Sequence, residues 1–172
     1  QEMHADKRYI PEIVNHLGTG VDLPQKIAIV GGGPAGLSAA FYCRKIGYPV
    51  TVFEKESRPG GMLLNGIPSF RLEKNIIDAE IEVLRQMGVT FKCGVEVGKD
   101  VTIQQLREEG FKAFYVAIGA QGGRKAGVPG EDADGVKTGV EFLRSVNLDE
   151  STKLSGRTVV VGYRASSIAR IA

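Results

Sequence analysis

The stretch Lys26-Ile27-Ala28-Ile29-Val30-Gly31-Gly32-Gly33-Pro34-Ala35-Gly36, with Leu37 to Ile46 and Pro49-Val50-Thr51-Val52-Phe53-Glu54 after it, decides the fold. Ile27 to Val30 is an unbroken apolar run, the pattern of a strand buried on both faces. From Leu37 to Ile46 the apolar residues recur at helical spacing, and Gly47 ends the run. Pro49 to Phe53 reads as a second buried strand. Strand, glycine turn, helix and strand together fill about 30 residues, the length of one βαβ unit.

Gly31, Gly33 and Gly36 form a G-x-G-x-x-G set, which is weak on its own. Three contexts support it: a strand leads straight into it, a helix opens from it, and Glu54 closes the next strand eighteen positions after Gly36. Gly31 allows the sharp turn, Gly33 leaves the main chain bare for a pyrophosphate, and Gly36 lets helix and strand approach. The first helical amides point at the phosphates, and the helix dipole favours their charge, with Pro34 and Ala35 also expected to line the cofactor. Glu54 is placed to accept hydrogen bonds from the adenine ribose, and its charge would repel a 2′-phosphate. No Gly-Lys-Ser/Thr follows the glycines, which excludes a phosphate loop of the Walker type. The plain alternatives are that the glycines only shape a βα turn and that Glu54 is a solvated strand-end carboxylate. The expected fold is α/β, a Rossmann-like dinucleotide-binding domain whose sheet is mainly parallel and flanked by helices.

Residues 55–72 read as a loop. Glu73 to Met87 is an amphipathic helix, with Ile76, Ile77, Ile81, Leu84 and Met87 on one face and Gly88 closing it. Val89 to Cys93 reads as a strand, and Thr102 as the N-cap of a helix through Glu109. Phe114 to Gly119 reads as another buried strand, Thr138 to Val146 as a helix, and Thr158 to Gly162 as a repeat of the opening strand-then-glycine theme. Residues 1–24 read as a lead-in, with Ile10, Ile13, Val14 and Leu17 on a small apolar face.

Composition narrows the function. Apolar residues make up 42% of the 172, enough for a core without staples, and the net charge of +2 points to neither nucleic acid nor an anionic membrane. No apolar stretch reaches the roughly 18 residues of a membrane helix. The two cysteines, Cys43 and Cys93, form no C-x-x-C pair, which excludes a dithiol redox pair or a metal or iron–sulfur site held by this chain alone. Low cysteine use fits a reducing cytosol, so a cytoplasmic location is expected. The first residue is Gln1, not Met, so the chain is expected to be a fragment or a processed form.

The segment after Glu54 separates FAD from NAD by resemblance. Glu54-Lys55-Glu56-Ser57-Arg58-Pro59-Gly60-Gly61 resembles the E-x₅-G-G extension of two-dinucleotide-domain flavoproteins. Gly60-Gly61-Met62-Leu63-Leu64-Asn65-Gly66-Ile67-Pro68-Ser69-Phe70-Arg71-Leu72 resembles the glutamate synthase small-subunit family. That family includes the flavin domain of dihydropyrimidine dehydrogenase and the large subunit of NADH-dependent ferredoxin:NADP oxidoreductase. The resemblance spans roughly residues 7–162. It implies FAD beside Lys55 and the Gly61, Met62 and Leu63 backbone, with Arg71 reaching the flavin. It further implies Val97 bonding the adenine through its main chain, and the strand end Ala117-Ile118-Gly119 under the pyrophosphate. The alternatives are a surface cation for Arg71 and core packing for Met62 and Leu63.

The resemblance also implies a division of the chain. Residues 1–24 would be the tail of a helical iron–sulfur domain, 25–155 the FAD-binding domain, and 156–172 the start of a truncated or altered NAD(P)-binding domain. Two positions depart from the family. Glu73 stands where Pro is usual. After Gly162 a second glycine turn is expected, yet the chain reads Tyr163-Arg164-Ala165-Ser166-Ser167-Ile168-Ala169-Arg170. The later segment that completes the flavin site is also lacking. Three functions follow. One is the FAD-binding portion of an NAD(P)H-dependent oxidoreductase, passing electrons to iron–sulfur clusters or a partner subunit, with no catalytic acid or base in this chain. Another is a dinucleotide-binding module without catalysis. The third, a different flavoenzyme sharing only the first motif, is disfavoured by the 60–72 string.

Overall fold

The computed structural model describes residues 11, 12, 14, 22–125, 127–149 and 151–161. Four strands, β1 (Lys26–Val30), β2 (Val50–Glu54), β3 (Thr90–Cys93) and β4 (Phe111–Val116), form one all-parallel sheet in the order β3-β2-β1-β4. Among the described residues from 22 onward, five helices accompany them: α1 (Pro34–Ile46), α2 (Met62–Asn65), α3 (Lys74–Gln86), α4 (Ile103–Glu108) and α5 (Gly139–Leu148). The Rossmann expectation holds. The strand order runs one way from β1 through β2 to β3 and reverses to β4, so the crevice between β1 and β4 is the topological switch point where such sheets bind ligands.

Alternation along the strands distributes the core to both faces of the sheet. Ile29, Val50 and Val52 face α1 and α3 and pack with Ala40, Val83, Leu84, Met87 and Val89. Ala28 and Phe53 face the other way, onto Leu106 of α4 and Phe111. Both faces are covered, as an all-parallel sheet requires. Ile29, Val52, Met87 and Leu106 are the largest fully buried side chains, each contributing about 1.5–3 kcal/mol relative to exposure. A third cluster of Leu64, Ile77 and Ile81 seats α2 on α3.

Helix ends follow local chemistry. Thr102 and Thr138 each cap a helix through a reciprocal capping box, with Gln105 and Glu141 as the returning partners. Cation placement at the end of α1, with Arg44 and Lys45 in its last turn, suits the helix dipole.

The structure corrects several readings. The helix read from Leu37 begins at Pro34, because proline is pre-set for the first helical position and loses no needed amide there. The 55–72 loop contains α2, nucleated where Asn65 and Gly66 bond back to Gly61 and Met62. The strand read at Phe114–Gly119 runs instead from Phe111 to Val116 and is mostly exposed. It is the outer strand of the described sheet, so only its Phe111 and Phe114 side reaches the core while Tyr115 and Val116 stay open. The run read as a strand from Thr158 has no strand over 158–161, with Val159 and Val161 exposed by 74% and 88%. An apolar run becomes a strand only by pairing, and no described strand lies beside it. Of the lead-in face, Ile10, Ile13 and Leu17 lie outside the described residues, while Val14 packs against the α1-side cluster.

Candidate functional site

The carboxyl ends of β1, β2 and β4 converge on the start of α1. Gly31 turns the chain out of β1 with φ +104, a conformation L side chains rarely adopt. A Cβ there would sit 2.4 Å from the Ala117 carbonyl oxygen, so β1 and β4 meet at this point without an intervening side chain. Ala117, just beyond β4, returns the contact by donating its N–H to Val30 O at 2.7 Å. Five residues on from Gly31, a Cβ at Gly36 would fall 1.9 Å from the Gly31 oxygen and 3.2 Å from Ile29. Backbone therefore rests on backbone, and α1 lies closer to the sheet than any side chain permits.

Gly33 differs from its neighbours. Its φ is −77, and an added Cβ would meet only the Gly61 Cα, at 3.9 Å. As N-cap of α1 it offers no side chain to the helix amides. Among the described residues no group accepts from the N–H of Gly33, Ala35 or Gly36. Pro34 and Ala35 are exposed, and the first turn holds no acidic residue. These are free donors at the positive end of a thirteen-residue helix, the requirements of an anion site.

Glu54 lies at the end of β2 and is buried, 5% exposed. Its two oxygens divide the work: Oε2 accepts from Gly32 N–H at 2.7 Å and Oε1 from Glu56 N–H at 2.9 Å. The carboxylate thus locks the glycine turn to the end of β2. Each oxygen keeps a second lone pair for a hydroxyl. The solvated-carboxylate alternative does not describe this residue.

Gly61 arrives from the far side. Its φ is +52, and a Cβ on it would lie 2.8 Å from the Gly33 Cα. The double glycine is laid over the first glycine loop, main chain against main chain, and Gly60 N–H bonds Gly32 O at 2.7 Å. Met62 and Leu63 follow in α2, half-buried, with the Met62 side chain close over Gly66. Lys55 is exposed beside this loop. Val97 is half-buried against the α4-side cluster, in a bridge with Val101. Gly119, with φ +69, ends the segment leaving β4.

The fold therefore joins Gly31, Gly33, Pro34, Ala35, Gly36, Glu54, Gly61 and Ala117 at one crevice. Arg71 is not drawn in: it is exposed, and no described residue pairs with its guanidinium. Tyr163, Arg164 and Arg170 lie outside the described residues. Sequence reasoning missed Gly32, Pro59 and Glu56. A Cβ on Gly32 would meet Pro59 at 2.9 Å and Glu54 Oε2 at 3.1 Å, so the unassigned middle glycine of the triplet was the available signal. Both thiols are pushed up by burial; for Cys93, nearby Arg85 opposes the rise and Glu54 adds to it. Both are free thiols, protonated at neutral pH.

Over residues 25–170 the chain matches the pyridine nucleotide-disulphide oxidoreductase family. It is 45% identical, over 83% of its length, to the NADP(+)-dependent formate dehydrogenase subunit beta of Moorella thermoacetica, covering 20% of that protein. It is 46% identical over 69% of its length to the NAD-dependent dihydropyrimidine dehydrogenase subunit PreT of Escherichia coli K12, covering 28% of it. It is 43% identical over 72% of its length to the glutamate synthase [NADPH] small chain of Mycobacterium tuberculosis, covering 25% of it. The resemblance read from residues 60–72 is borne out by these relatives. In structure, the chain is similar to Mycobacterium tuberculosis FprA in complex with NADPH, with a TM-score of 0.65 and 28% identity over 74% of this chain and 30% of that one. The chain spans less than a third of the length of each of these proteins.

Proposed function

Because this chain belongs to the pyridine nucleotide-disulphide oxidoreductase family, we propose that it is the FAD-binding portion of an NAD(P)H-dependent electron-transferring oxidoreductase of the glutamate synthase small-subunit type. The observation that carries this reading is the unclaimed set of amides at the mouth of α1, bounded by the bare backbone of Gly61. A diphosphate fits there because the space beside Gly33 is one that a Cβ would enter. Gly33, Ala35 and Gly36 would donate to it, and the α1 dipole would offset its charge. Glu54 would accept from the ribose hydroxyls while still holding Gly32. Gly61 to Leu63 would flank the path toward the flavin, Ala117 to Gly119 would pass under the pyrophosphate, and Val97 would reach the adenine edge. Arg71 would join on binding.

When bound, FAD would supply the redox chemistry, hydride acceptance from NAD(P)H and single-electron release. The residues here bind and orient the group. No described side chain is placed as a proton donor for the reaction, and neither cysteine is part of a dithiol. Residues 156–172 would begin the NAD(P)H domain and 1–24 end an iron–sulfur domain. The electrons would pass to iron–sulfur clusters or a partner subunit, in the cytoplasm. Among the described residues no helix is long and apolar enough to cross a membrane.

A second reading is a dinucleotide-holding module without catalysis. A single experiment separates the two. The full-length protein is purified, its visible spectrum recorded, and NADPH or NADH added without oxygen. A yellow protein that bleaches supports the oxidoreductase, and one that stays yellow supports the module. A protein that stays colourless and takes up no added FAD refutes both.

A further inference from the structure

Lys74 is an anomaly in helix chemistry. It occupies the first turn of α3, where the dipole disfavours a cation, and the N-cap Glu73 gives no side-chain cap. Its ammonium turns back to the loop before it, donating to Leu63 O at 3.0 Å and to Ile67 O. Those carbonyls need a donor. At the end of α2 both Gly66 and Ile67 direct their N–H groups to Met62 O, and no described backbone N–H goes to Leu63 or Ile67. Burial lowers the Lys74 pKa, helped by Arg58. The side chain is thus half sunk in a place that costs it solvation.

We infer that Lys74 is the positioning residue of the flavin-side loop: by bridging Leu63 O and Ile67 O it fixes the turn that follows Gly61, while the double glycine keeps its own seat on the first loop through Gly60 N–H on Gly32 O. The inference rests on the proposed FAD site and deepens it. The ADP half of that site is set by other contacts, namely Gly31 on Ala117, Gly36 on Gly31, and Glu54 on Gly32. Lys74 acts only on the α2 side. It touches no ligand itself.

The test is the ratio of two affinities in the full-length protein, since a merely structural role would lower both together. FAD and ADP are titrated separately into wild type, Lys74→Met and Lys74→Arg. With one charge-assisted anchor removed, Lys74→Met should bind FAD about tenfold more weakly and ADP within about twofold of wild type. Lys74→Arg, with donors enough for two carbonyls, should restore the FAD affinity. Should Lys74→Met fail to fold, Lys74→Gln, too short to span both carbonyls, takes its place. Parallel losses for FAD and ADP, or no loss of either, overturn the inference while the FAD reading stands. An arginine variant that behaves like methionine does the same. A wild-type protein that does not bind FAD overturns both.

Discussion

Replacing Gly33 by alanine separates binding from folding. The backbone at Gly33 has φ −77, which alanine adopts without strain, and the new methyl would have one neighbour, the Gly61 Cα at 3.9 Å, an ordinary contact. Alanine is a poorer N-cap than glycine but reduces the freedom of the unfolded chain, two effects of about 0.5–1 kcal/mol with opposite sign. Folding stability should therefore stay within about 0.5 kcal/mol of wild type. Binding should not. The methyl fills the space where a phosphate oxygen approaches the first amides of α1, so about two charge-assisted hydrogen bonds are lost, or roughly 3 kcal/mol. That is about a hundredfold in the dissociation constant of ADP or FAD. Gly36→Ala is the contrast: its Cβ would lie 1.9 Å from the Gly31 oxygen, so α1 must back away from the sheet, at a cost of about 3 kcal/mol or more. Calorimetric titration with ADP and thermal unfolding of the same preparations give both numbers. A Gly33→Ala protein that binds ADP within threefold of wild type, on an unchanged fold, would refute the anion site at this helix end.

Two further outcomes are expected. Glu54→Gln puts an amide group opposite one of the two N–H donors that Glu54 now satisfies; it should lower stability by about 2 kcal/mol and weaken ADP with it, and a denaturant midpoint equal to wild type would show that the carboxylate does not hold the turn. Hydrogen bonds from the Thr138 hydroxyl and amide hold the Glu141 carboxyl below its ordinary 4.5. The start of α5 should therefore be firm above that pH and loosen as pH falls through and below it, seen as faster exchange of the Phe142 amide that bonds Thr138 O; Thr138→Ala, which removes the hydroxyl and keeps the amide donor, should reduce the pH dependence.

Legibility followed the range of the interaction. The β1, α1 and β2 elements were readable because each is written locally: an apolar run, a stretch at helical spacing closed by Gly47, a second run. Thr102 was readable as a cap for the same reason, since a cap bonds only three residues ahead. The glycine set and Glu54 were readable as a site, but their mutual contacts were not. That Glu54 spends both oxygens on backbone amides, or that Gly61 lies on Gly33, depends on how distant turns meet. β4 was misplaced because burial was inferred from apolar residues, and Tyr115 and Val116 belong to the outer strand of the described sheet, where they lie exposed. The Thr158 run failed for a related reason: hydrophobicity proposes a strand, and only a neighbour with free hydrogen-bonding groups makes one. Lys74 left a trace in the sequence, a cation at a helix start, although its carbonyl partners could be found only in space.

The strand order also sets a sequence of assembly. Ala28 finds Thr51 a single helix away, yet its other partner, Phe114, lies across most of the described chain. Closing the longer loop costs more entropy, so the β1–β4 junction is the slow pairing, while β1, α1 and β2 can gather early. During synthesis a ribosome would release the helix mouth well before the wall at Ala117 exists. A nucleotide that needs both walls is therefore retained only by chains that have completed the register, and its presence pulls the population toward that finished topology.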